Sequence, residues 1–226
     1  MSDFFTFQNS VSGSSEFNKM HYAIRRYLAH IRTAQLAKII NCTNSGGLTA
    51  VGTVDIQLLL NQTDGAGNAT ALPPVYTVPY LRMQGGTNAV IIDPQPGDIG
   101  VVVFGDRDLS AVIASKVPSA PGSNRRFSLS DALWIGGMLN DTPQQYVQFN
   151  TSGITVVSPQ TVTIQAPTIT LQGNTHITGT LRQDGAQTNN STITASGEIK
   201  SGSHTLTQHV HPGVQTGSGN TATPTG

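Results

Sequence analysis

The sequence predicts an all-β protein in two parts, a small barrel followed by an intertwined β-helix. Three observations predict it. Short apolar runs alternate with turn-forming clusters through residues 32–118. The last third is threonine-rich and nearly uncharged, with apolar residues arriving in i, i+2 pairs. A histidine pair, His209 and His211, then stands one residue apart near the end.

Composition narrows the function classes. The 226 residues suffice for one large domain or two small ones. Charged residues make up 11% and the net charge is zero, so no basic footprint for nucleic acid exists. An apolar fraction of 37% argues against wholesale disorder. The single cysteine, Cys42, precludes an intrachain disulfide framework and reads as a buried strand thiol. No apolar run approaches the length of a membrane-spanning helix. The start, "MSDFFTF", lacks the basic and apolar regions of a secretory signal. Synthesis in a cytosol, in soluble form, is the expectation.

Residues 1–31 form an N-terminal arm and helix. In "EFNKMHYAIRRYLAHI", residues 16–31, Phe17, Met20, Ile24, Tyr27, Leu28 and Ile31 recur at helical spacing. Lys19, Arg25 and Arg26 occupy other positions. The helix is expected to dock on its own domain or on a partner chain. Its basic content is low for a membrane-surface helix.

Residues 32–118 carry the barrel. "TAQLAKIIN", "GTVDIQLLL", "VYTVPYLRM", "NAVIIDP", "GDIGVVVFG" and "SAVIASKV" read as strands, divided by "NSGG", "QTDGAGNATALPP", "QGGT", "PQPGD" and "GDRDL". Five or six strands in so short a segment predict a barrel like the oligonucleotide/oligosaccharide-binding (OB) fold. Asp106, Arg107 and Asp108 read as a solvated, self-paired corner, because no nucleophile or base partner lies near them.

Residues 119–150 are a linker or collar. "PSAPGSN" is a flexible stretch, and "SLSD" from Ser128 to Asp131 has the form of a helix capping box. Trp134, Ile135, Met138 and Leu139 then suggest a short helix or a packed collar.

Residues 151–208 are the predicted shaft. The pairs Ile154/Val156, Val162/Ile164 and Ile169/Leu171 recur at intervals of eight and seven residues, with Ile177 and Leu181 following. Each pair lies on one face of a strand. No aromatic residue follows Phe149, and from Tyr146 onward the only charges are Arg182, Asp184, Glu198 and Lys200. One chain cannot bury so thin an apolar stripe or protect its strand edges. Winding three identical chains about one axis turns the stripe into a shared core. The prediction is an intertwined homotrimeric β-helix, with a single-chain solenoid as the alternative.

Residues 209–226 form the tip. Of the histidines, His21, His30, His176 and His204 stand alone. On an extended chain His209 and His211 point the same way. Three parallel copies would bring six imidazoles to the axis, a full octahedral shell suited to iron or another octahedral metal. Structural zinc prefers four ligands, a number that two per chain on a threefold axis do not supply. An open catalytic iron site would need a carboxylate, and no Asp or Glu follows Glu198. The metal is therefore expected to be structural.

These residues resemble the central spike proteins of contractile bacteriophage tails, the membrane-piercing needles of the baseplate. "PGDIGVVVFGDRDLS", from Pro96 to Ser110, and the tip "HVHPGVQTGSGNTATPTG" carry the likeness, together with the order of barrel, threonine-rich shaft and histidine tip. The resemblance implies a homotrimer with one iron per trimer, held at the apex by His209 and His211 of each chain. It implies that "GSGNTATPTG" wraps back around that apex. It places the chain in the virion, at the tail baseplate, with tail hub or tube proteins and the host outer membrane as partners. The function implied is mechanical, with no enzymatic activity. A receptor-binding tail fibre or adhesin on a similar stalk is the rival reading, which the absence of distal aromatic residues for sugar stacking opposes. A lysozyme-bearing spike would need a further domain with paired carboxylates.

Overall fold

The structure is a computed structural model that describes residues 13–63, 67–207 and 217. Its chain divides into two compact units, residues 1–162 and 163–226.

The first unit opens with α1, Glu16–Leu28. The Ser15 hydroxyl caps it by accepting from the Asn18 N–H at 3.1 Å, and Glu16 in the first turn complements the helix dipole. No residue of α1 is buried. Then come β1 (Ala34–Cys42) and β2 (Thr53–Leu58). A small pair follows, β3 (Gln62–Thr63) with β4 (Ala69–Thr70), and then β5 (Val75–Pro79). The hairpin of β6 (Met83–Gly85) and β7 (Asn88–Val90) turns at Gly86, whose φ of 58° suits glycine. β8 (Ile99–Phe104) precedes α2 (Ser110–Ser115), and β9 (Ala132–Gly137) completes the main sheet.

That sheet is antiparallel and five-stranded, in the order β5-β2-β1-β8-β9. Strict alternation drives it: in β2 and β8 every second residue is buried. The inward residues Ala37, Ile39, Val54, Ile56, Leu58, Val78, Val102, Phe104 and Trp134 make one core. Bulges curl the sheet. At Ile40 one extra residue on β1 breaks the alternation, so that Ile40 and Asn41 are both exposed. On β5 the extra residue lies at Tyr76–Thr77, and Thr77 takes φ 56°, rare for a β-branched residue. Asp55 holds it there, accepting the Thr77 N–H at 3.0 Å. The third bulge, at Ile135, lets Trp134 turn inward over Gly100, where any Cβ would overlap the indole ring and the Gly136 carbonyl. The curl brings the two edge strands together. Tyr80 and Trp134 form a parallel bridge, and the Leu81 N–H donates to the Trp134 carbonyl at 2.8 Å. The result is a curled half-barrel, consistent with the all-β expectation.

Three sequence readings change. "SAVIASKV" is helix α2 rather than a strand; it ends at Lys116, in the left-handed region at φ 57°. The residues after "SLSD" are not helical. Ser128 caps a single 3-10 turn at Leu129–Asp131, and the chain then enters β9. The barrel sheet thus runs to Gly137, beyond the expected limit at 118. Pairing with β8 decides this, because it buries Trp134 at 2% exposure.

Beyond the sheet, β10 (Tyr146–Asn150) pairs with β11 (Gly153–Val157) in a hairpin whose turn contains the boundary expected at 151. In the second unit the residues up to 199 form no regular strand within the single chain. A short pair, β12 (Lys200–Ser201) with β13 (His204–Thr205), follows. The Glu198 carboxylate accepts from the Thr207 N–H and hydroxyl across it.

Candidate functional site

Two buried polar clusters shape the half-barrel. In the first, the Asp93 carboxylate accepts from the Tyr80 hydroxyl at 2.7 Å, an Arg82 Nη at 2.5 Å and the Gly46 N–H at 2.9 Å. The other Arg82 Nη donates to the Thr49 carbonyl at 2.7 Å. The cluster thereby staples the loop between β1 and β2 to the strand end after β5. Asn44 shapes that loop by donating to Thr49 Oγ1 and to the Ala50 carbonyl, both at 2.8 Å. Burial pushes the Asp93 carboxyl up, but the bonds from Tyr80, Arg82 and Gly46 outweigh it and hold it below the usual range. Burial and the bond to Asp93 raise the Tyr80 phenol.

The second cluster corrects the reading of the Asp106–Arg107–Asp108 corner. Asp106 and Arg107 are exposed, but Asp108 is buried. It accepts from the Ser110 N–H and hydroxyl at 2.9 and 2.6 Å, from Ser123 at 2.7 Å and from Arg125 at 2.7 Å. Arg125 also reaches Asp131 through Nε at 2.8 Å, and Asp131 accepts the Leu109 N–H at 2.9 Å. Arg125 so ties the linker to both ends of the β8–β9 connection. The bonds from Ser110 foremost, then Ser123 and Arg125, draw Asp108 down to about 2. Arg125 foremost lowers Asp131.

Both carboxylates are depressed in the fold, so each stabilises it above the unfolded value of 3.8 and loses that effect as pH falls through its lowered value, about 2 for Asp108. Thermal unfolding followed by circular dichroism should give a melting temperature flat above about pH 5 and falling steeply between about pH 4 and 2. Asp108→Asn should make that acid limb shallower, leaving the part that Asp93 and Asp131 contribute. An identical limb in the variant would refute the assignment.

Asp93 and Asp108 are each committed to a cation and to backbone and hydroxyl donors, and Asp131 to Arg125 and the Leu109 N–H. The signal for them in the sequence was faint: Arg82 and Asp93 are lone charges inside "YLRM" and "VIIDP". Among the described residues no three His, Cys, Asp or Glu side chains gather as a metal site, and no helix is long and apolar enough to cross a membrane. His209 and His211 lie outside the described residues, as does most of the expected tip.

The remaining candidate is the apolar stripe. Val147, Phe149, Ile154, Val156, Val162, Ile164, Ile169, Leu171, Ile177 and Leu181 are all exposed on the single chain. Apolar side chains at this regularity are seldom left in water without a covering surface.

Fold and sequence together give a mostly β chain, a curled half-barrel followed in sequence by a sparsely charged tail with exposed apolar residues. Residues 44–137, which include β2 to β9, match the family of the phage protein Gp138 N-terminal domain. The match ends with β9, at the corrected limit of the sheet. The chain therefore carries a phage-protein domain, which points to a structural role in a phage. No curated protein matches the chain.

Proposed function

We propose that this chain is the central spike of a contractile phage tail, driven tip-first through the host outer membrane when the sheath contracts. One observation carries the reading: a phage-protein domain is followed by a tail whose regularly spaced apolar residues are all exposed on one chain. Three chains wound in parallel would cover that stripe mutually. The half-barrel, taken as an OB-type barrel, seats the trimer on hub or tube proteins at the baseplate. A shaft with few charges and small threonine side chains offers little for an envelope to grip. The function is mechanical and not enzymatic.

The tip's donor set fits iron. Two imidazoles per chain, from His209 and His211, give six neutral nitrogen donors per trimer, the number an octahedral ion takes. Bound there, iron would link three chain ends into one rigid point. The histidines would hold it through neutral ring nitrogens, so acid should release it.

Elemental analysis of the purified protein should return about one iron per three chains, the ratio six imidazoles require. His209→Ala with His211→Ala should abolish it while the far-ultraviolet spectrum of the half-barrel persists. A monomeric mass by light scattering would sink the spike. A trimer without stoichiometric metal would favour the receptor-binding fibre, against which the lack of aromatic residues after Phe149 already counts.

A further inference from the structure

The hairpin of β10 and β11 leaves one of its faces bare. Pairing of Val147 with Val156 and of Phe149 with Ile154 sets these four side chains together on one side of the ribbon. Phe149 is 75% exposed and Ile154 66%, and Val147 and Val156 are both 57% exposed. Gln148, Thr155, Asn150 and Gly153 hold the middle and the turn end of the other side. The two strands pair only with each other, so both outer edges are open among the described residues. A two-stranded ribbon of this kind has marginal stability in water and needs packing on its apolar face.

Three features say what covers that face. Ile154 and Val156 are also the first pair of the repeat that continues as Val162/Ile164 and Ile169/Leu171. A surface that covers the repeat from its first pair therefore reaches Val147 and Phe149, which lie directly across the ladder. Residues 146–157 contain no charged side chain, so copies of the hairpin meet without like-charge repulsion. Phe149 is the last aromatic residue of the chain, and at the head of the shaft it supplies the bulk that the repeat lacks.

We infer that the β10–β11 hairpin is where the three chains first meet, its face of Val147, Phe149, Ile154 and Val156 packed against the same face of two further copies. The inference rests on the trimeric spike reading, and it starts the shared surface of that trimer at β10, ahead of the limit expected at 151. A threefold axis closes the contact, because each copy meets the other two in the same way. The phenyl rings then give the thin core of the shaft an aromatic head that one chain alone cannot bury.

Thiol reactivity in the full chain tests this. Val147→Cys on the bare face and Gln148→Cys on the other are each made with Cys42→Ala, and the rate with a small disulfide reagent is measured beside the mass by light scattering. In a trimer Val147→Cys should react several-fold more slowly than Gln148→Cys, because a thiol packed in apolar surroundings is inert. Adding Ile164→Asp with Leu171→Asp to separate the chains should bring the two rates together, since Val147 and Gln148 are both exposed on one chain. A trimer in which the rates match from the start overturns the hairpin contact, leaves the face to another protein and leaves the spike standing. A slow Val147→Cys that persists in separated chains overturns the contact as well, because the chain then covers its own face. A monomeric wild type removes both readings.

Discussion

Asp93→Ala should lower the melting temperature of the protein by about 15 °C or more, measured at fixed chain concentration. The Arg82 and Asp93 side chains are 2% and 0% exposed, so the substitution strands a cation in the core. Three bonds vanish with it. Tyr80 loses its acceptor, the Gly46 N–H loses its partner, and Arg82 keeps only the Thr49 carbonyl and its long contact to the Tyr80 hydroxyl. The loop between β1 and β2 is released on one side and the barrel seam near Tyr80 on the other. Asp93→Asn, which retains an acceptor oxygen, should fall between the wild type and the alanine variant. Calorimetry decides it: a drop below about 3 °C would show that the cluster contributes little to stability.

Ile164→Asp combined with Leu171→Asp should turn the proposed trimer into a monomer. These side chains are 70% and 71% exposed on one chain, so the substitutions cost an isolated chain almost nothing. In a three-chain shaft they would place six carboxylates against a dry axis, where unpaired charge is costly. They would also remove six apolar side chains, each worth about 1.5–3 kcal/mol when fully buried. The half-barrel should keep its melting behaviour, since neither residue belongs to its core. Light scattering reads the outcome directly. A variant that remains trimeric would show that the stripe is not the surface that joins the chains.

The sequence and the structure agree where local period governs. Runs rich in Val, Ile, Leu and Thr between turn-forming residues placed β1, β2 and β8 within a residue or two. The 3-4 spacing of α1 was equally plain. Agreement failed where partners lie far apart in the chain. "SAVIASKV" is rich enough in β-branched residues to read as a strand, but it pairs with no strand of the sheet and forms the helix α2. β9 was hidden because Gly136 and Gly137 disguise its alternation, and those glycines serve a bulge seen only once β8 lies alongside.

The amino-acid order alone thus sufficed for the all-β class, the helix and the apolar stripe, all of which follow from spacing along one chain. Folding was needed to pair Tyr80 with Trp134, to draw Arg82 onto Asp93, and to bury Asp108 beneath Arg125 of the linker. Spacing specifies which face of an element is apolar. Which charges end up buried together depends on how the sheet curls and closes, and that is set by bulges and edge pairing among distant residues.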